Sequence, residues 1–234
     1  MRKLIALGVL AACGGTSGGS TDIKGTMVIA SHSDTDIARL LSAAGGTDMF
    51  SAQAQVESFS PPRTDPCPAV AIAGTTVTIT GGCTTQDGVT IAGSATIDNP
   101  TTWDAIQYNY SKPTVYTFDQ LSLTQSGFAQ TYAGVTNIEG SFTTYDSDVT
   151  TTSMNQVVRA DLYYHCSSTM SCSLSGSGIE LGGEGVLASG SLSLQGQTTV
   201  AKYTLQGVDK LTATITNGCV AWKIEGTDRQ TTCP

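Results

Sequence analysis

His32-x-Asp34-x-Asp36 places three potential metal ligands or proton carriers within one short stretch, and Asp146-x-Asp148 offers two more. In an extended segment alternate residues share a face and can converge on a cation, whereas a helix spreads them around its axis. Asp34 and Asp36 stand where a helix begins, so the reading for them is a cap and its acidic first turn. Asp146-Ser147-Asp148 reads as a turn, with too few oxygens for calcium. Gly15-Thr16-Ser17-Gly18-Gly19 matches G-x-S-x-G, but it lies in a polar stretch, not between a strand and a helix where a nucleophile would be raised. His165 is the remaining histidine, and no signature pairs it with a serine and an acid. Carboxylates are plentiful, yet no spacing selects a glycosidase pair. No catalytic residue, metal or cofactor is expected, and an enzyme is the disfavoured reading, with a triad whose members lie far apart in sequence left open.

Cysteine carries more information. Cys13 closes Leu10-Ala11-Ala12-Cys13, behind Arg2, Lys3 and the apolar run Leu4 to Leu10. A basic start, a short apolar stretch and small residues before a cleavage point are the layout of an export signal. The run is too short to span a hydrocarbon core of ~30 Å. The stretch resembles the signal peptides of bacterial lipoproteins, whose lipobox ends in Leu-Ala-Ala-Cys or close variants. The resemblance covers residues 1–13 and implies diacylglyceryl transfer to the Cys13 thiol, cleavage before Cys13 and acylation of the new amino group. By analogy with enteric bacteria, where Asp after the lipidated Cys retains the protein in the inner membrane, Gly14 implies the outer membrane of a Gram-negative cell. The expected organisation is a signal peptide over 1–12, a lipidated Cys and flexible tether over 13–21, and one β-rich domain over 22–234.

Six cysteines remain: Cys67, Cys83, Cys166, Cys172, Cys219 and Cys233. An exported chain meets an oxidising compartment, so pairing is the default. Loop-closure entropy favours nearest neighbours, Cys67–Cys83, Cys166–Cys172 and Cys219–Cys233. Zinc is the rival, but no CxxC occurs. Loss of Arg2 and Lys3 takes the formal charge from −8 to −10. A sparse acidic surface excludes nucleic acid, whose phosphates need clustered Lys and Arg. It also excludes electrostatic docking on anionic lipid, so membrane contact is expected through the anchor alone.

The elements follow from hydrophobic periodicity. Asp34 to Gly45 is the best helix, with Ile37, Leu40, Leu41 and Ala44 on one face and Gly45-Gly46 to end it. Thr47 to Phe59 is ambiguous: Phe50, Ala52, Ala54 and Val56 alternate like a strand, while Gln, Ala and Glu suit a helix. Residues 60–66, with Pro61, Pro62 and Pro66, break regular structure and mark a boundary. From Cys67 onward the period is two, with Asp87-Gly88 as a hairpin signal. Strands at this density predict an all-β, antiparallel meander, a curved sheet, open barrel or sandwich, with one short N-terminal helix. Gly93, Gly140, Gly176 and Gly226 recur inside these runs without a fixed period and read as points of curvature.

Eleven of the fifteen aromatic residues fall within 103–164. They form either the main core or a concave ligand face, for which Tyr108, Tyr110, Tyr116 and Tyr132 are the candidates. The leading functional expectation is a cell-envelope lipoprotein acting as a binding module for a glycan, lipid or protein. A structural envelope component without a small-molecule site is the alternative, with a hydrolase behind it.

Overall fold

The computed structural model describes residues 21–140, 143–153, 156–167, 171–195 and 198–232. The period-two runs become a single antiparallel sheet. Its first strands are β1 (Ala69–Ala73), β2 (Thr76–Thr80), β3 (Cys83–Thr84) and β4 (Thr90–Asp98). Then come β5 (Thr114–Gln125), β6 (Phe128–Ile138), β7 (Thr144–Ser153), β8 (Gln156–Cys166) and β9 (Ser171–Leu181). The last are β10 (Glu184–Gln195), β11 (Thr198–Gln206), β12 (Lys210–Thr216), β13 (Cys219–Ile224) and β14 (Thr227–Thr232). Each strand pairs with its neighbour in sequence, except that β2 and the short β3 both lie on β4. The sheet does not close, so of the architectures the patterning allowed, the open curved meander is the one formed.

Curvature has identifiable sources. Register shifts occur between β4 and β5 at Ala92/Ser94, between β5 and β6 at Phe118/Leu121, and between β8 and β9 at Asp161/Tyr164. Each lets one strand carry extra backbone and bend more sharply. Gly93, at the first shift, has φ of +73°, and Gly176, near the last, has +60°. Gly226 instead sits in the β13–β14 turn with φ of +78°, and a Cβ on Gly140 would meet the Tyr110 carbonyl oxygen at 2.2 Å. Two of the four recurrent glycines therefore mark bends, one a hairpin turn and one a close backbone approach.

Two helices lie on the inner face, where one was expected. Helix α1 (Asp34–Ala44) is capped by Ser33, not Asp34. The Ser33 hydroxyl accepts from Asp36 N at 3.2 Å and Asp36 accepts from Ser33 N at 3.3 Å, a reciprocal capping box. Gly45 ends α1, and Gly46, at φ +77°, starts α2 (Thr47–Glu57). The ambiguous segment is thus a helix: Met49, Ala52 and Val56 are buried at i, i+3 and i+7, while Phe50 is exposed. Its apparent alternation came from Ala54, which faces solvent.

The helices divide the interior. Ile37, Leu40, Leu41 and Ala44 of α1 pack with inward residues of β8–β13, among them Leu162, Ile179, Leu205 and Trp222. Ala52 and Val56 of α2 pack with Val77, Ile97, Tyr116 and Leu121 of the earlier strands. Tyr145 touches both clusters. Phe59 and Cys67, on either side of the proline segment, belong to the same second cluster. Before α1 the chain straps the ends of β9–β12: Met27 N donates to Gly185 O at 3.0 Å, and Val208 N donates to Met27 O at 2.8 Å. Asp209 accepts from Ile29 N at 2.6 Å and Ala30 N at 2.8 Å, which fixes where α1 can begin.

Disulfides Cys67–Cys83 and Cys166–Cys172 join nearest neighbours, as loop closure favoured. Cys219 is disulfide-bonded too, and Cys233 lies outside the described residues.

Candidate functional site

The four tyrosines of the expected ligand face do not form one open face: Tyr108 and Tyr110 pack together in a loop, and Tyr116 and Tyr132 are buried. Tyr110 is 79% exposed in the β4–β5 loop, edge-on to Tyr108 with centroids 4.7 Å apart. Tyr108 donates to Gly140 O at 3.1 Å. Tyr116 and Tyr132 keep only 5% and 2% exposure beneath α2. Inward positions of β5 and β6 must cover the helix, so the rings that alternate correctly for a face are consumed by the core. The Tyr116 hydroxyl donates to Glu57 Oε1 at 2.6 Å, and Trp103 Nε1 donates to Glu57 Oε2 at 3.0 Å, which ties the C-terminus of α2 to the sheet. Burial, then the Glu57 carboxylate, drives the Tyr116 phenol far above its ordinary pKa. Burial, with the Asp48 charge behind it, pushes Tyr132 up to about 12.

The polar constellations are also dispersed. His32 Nε2 lies 2.9 Å from Glu184 Oε2 and His32 Nδ1 lies 3.7 Å from Asp36, linking the start of α1 to the β9–β10 turn. His165 meets Thr144 Oγ1 at 3.4 Å. Asp146 and Asp148 stand in β7 and not in a turn, on the outer face. Asp148 binds Arg159 through two bonds of 2.9 and 2.8 Å, and Arg159 reaches Asp22 at 3.0 Å. Desolvation, then the neighbouring Asp148 charge, holds the Asp146 carboxyl above its ordinary range. Among the described residues no group of three or more His, Cys, Asp or Glu could hold a metal ion.

The feature that stands out is an apolar cleft between α1 and the β12–β13 hairpin. Its volume is about 520 Å³, within the range of small-molecule sites. Ala38 and Leu41 form the helix wall; Ile215, Val220 and Trp222 form the sheet wall. Asp34 and Thr35 mark one end and Gly45 and Thr47 the other. The walls follow from register. Ile215 pairs with Val220 and Ala213 with Trp222, so alternate residues of both strands face α1. Trp222 is buried, and its Nε1 has no acceptor among the described residues.

Periodicity located the Leu41 face of α1, but nothing in the sequence paired it with residues more than 170 positions later. The Val220-x-Trp222-x-Ile224 alternation was the available signal for the opposite wall. Compared with family models, with curated proteins and with solved structures, the chain matches none. No described helix is long and apolar enough to cross a membrane.

Proposed function

We propose that the chain is a cell-envelope lipoprotein, held at the outer membrane through acylated Cys13, whose β domain binds the acyl chain of an amphiphile. The observation that carries the binding reading is the cleft between α1 and β12–β13, apolar along both walls, one of them built on the buried Trp222 indole. A methylene chain fits such walls because transfer from water is its driving force, at ~0.8 kcal/mol per CH₂. Residues 1–20, including the lipobox, lie outside the described residues, and the anchor rests on their sequence. An even set of six further cysteines, with two nearest-neighbour bridges formed, fits an exported domain.

Displacement of a fluorescent fatty acid tests the cleft. Affinity for saturated fatty acids of about eight to fourteen carbons is expected to rise about four-fold per methylene until the cleft is full. Ala38→Trp fills the helix wall and is expected to abolish binding, while Trp222→Phe keeps binding and loses the ligand-induced change in indole emission. Affinity independent of chain length and of Ala38→Trp would sink this reading. The anchor has its own test. Cys13→Ala is expected to move the protein from the membrane to the soluble fraction and to abolish palmitate labelling; unchanged partition refutes it.

A further inference from the structure

A second cavity system runs along α2, meets the cleft at Thr47 and differs from it in chemistry. One cavity, about 570 Å³, opens between Thr47, Asp48 and Ser51 of α2 and the ends of β6, β7 and β8. The next, about 510 Å³, continues past Gln55 and Ser58 to the loop braced by Cys67–Cys83. Phe128 lines both, so the two cavities adjoin at its ring as an interrupted trough. Thr47, Ser51, Gln55 and Ser58 fall at i, i+4, i+8 and i+11, one stripe of a helix about 16 Å long.

The facing wall repeats this character. Gln125, Gln130, Ser153 and Gln156 supply amides and a hydroxyl from hairpin ends, with Gln125 Nε2 donating to Asp87 O at 3.0 Å and Gln156 Nε2 to Asp36 Oδ1 at 3.4 Å. Phe128, 46% exposed, and Phe59, Pro62, Val89, Ile91 and Leu123 add apolar surface. Charge is confined to the ends and is mixed in sign. Asp48 and Arg39 stand at one end, paired at 2.6 Å, and Arg63, Asp65 and Asp87 at the other. The far end is rigid: Asp65 accepts from Cys67 N at 2.9 Å and Gln86 N at 2.6 Å, Arg63 donates to Pro68 O at 2.9 Å, and its guanidinium lies 5.7 Å from the Phe59 ring centre. At the near end Asp48 is 3% exposed, and its Oδ2 has no donor among the described residues.

We infer that this trough is a binding site for a short neutral oligosaccharide. Side-chain amides and hydroxyls each offer both donors and acceptors, which matches the paired hydroxyls of a sugar. The Phe128 ring offers a flat apolar surface to the C–H face of a sugar ring. Mixed end charges favour neither an anion nor a cation. An extended peptide is a poorer fit, because strand addition needs an open sheet edge, and the trough is walled by a helix and hairpin ends. The proposal does not depend on acyl binding at the cleft, although Thr47 lines the end of both.

Isothermal titration of the full chain with maltotriose, cellotriose and triacetylchitotriose tests it. At least one trisaccharide is expected to bind, with Phe128→Ala weakening that affinity about ten-fold and Gln55→Ala weakening it measurably. Ser51→Trp, which blocks the trough between its two cavities, is expected to abolish it. Fatty-acid displacement at the cleft should stay unchanged in all three variants, which separates this site from the first. No binding of any of the three sugars overturns the proposal, and so does binding that survives Ser51→Trp and Phe128→Ala.

Discussion

Replacing Arg39 by methionine is expected to remove about 3–5 kcal/mol of folding stability. Asp48 is the reason. It keeps 4% of its side-chain exposure, against 21% for Arg39, and the two meet at 2.6 Å from Nη2 to Oδ1. Its other oxygen has no donor among the described residues, so the guanidinium is the group that compensates this buried charge. Taking one partner from a buried pair leaves an uncompensated ion, which costs far more than the pair contributes. Asp48→Asn should cost less, because a neutral amide is cheaper to bury. The double variant Arg39→Met/Asp48→Leu should regain most of the loss, since apolar groups of similar size often replace buried pairs at no cost. Urea midpoints at neutral pH measure all three. Near-equal midpoints for wild type and Arg39→Met would show that water already reaches the Asp48 carboxylate. The Tyr132 phenol supplies a second readout. Arg39 lowers its pKa while burial and Asp48 raise it, so Arg39→Met should move it higher still in an absorbance titration.

Gly93→Ala should cost about 2–4 kcal/mol, through strain and crowding together. With φ at +73°, an L side chain is strained there whatever the space around it. The space is absent as well: a Cβ would lie 2.0 Å from Gln120 O and 2.7 Å from Asp119 O. These are backbone atoms of the paired strand, so they can yield only if the register shift between β4 and β5 is disturbed. Gly182→Ala is the matched control. Its φ is +62°, and nothing lies within 4 Å of a Cβ added in the β9–β10 turn. It should cost about 1 kcal/mol, the backbone part alone. Equal midpoint shifts for the two variants would mean that the bulge accommodates a methyl group.

Legibility in the sequence varied with the range of the interaction. Alternation from Cys67 onward was local, and it disclosed the strands, the meander and the Asp87-Gly88 turn, where Gly88 has φ of +81°. Nearest-neighbour cysteines were legible for the same reason. Helix α2 was not, because Ala54 and Phe50 imitate alternation although both face solvent. The tyrosines misled in a different way. Period two puts Tyr116 and Phe118 on one face, but it shows neither that the register shift after Phe118 brings Leu121 and Tyr132 to that face nor whether water or a helix covers it. The cleft was the least legible part, since Leu41 and Trp222 meet only once the sheet has curved round the hairpin.

The same curvature sets the order in which the molecule can fold. Apart from β2, which skips β3 to lie on β4, each strand pairs with the next in sequence, and β-hairpins of that kind close in microseconds. Helix α1, however, packs on β8–β13, whose residues leave the ribosome long after it does. A chain that emerges from its N-terminus therefore lacks partners for Ile37, Leu40 and Leu41 until β8 and the strands after it exist. Local zippering makes the sheet quickly, and the helix that was synthesised first is among the last elements to be buried.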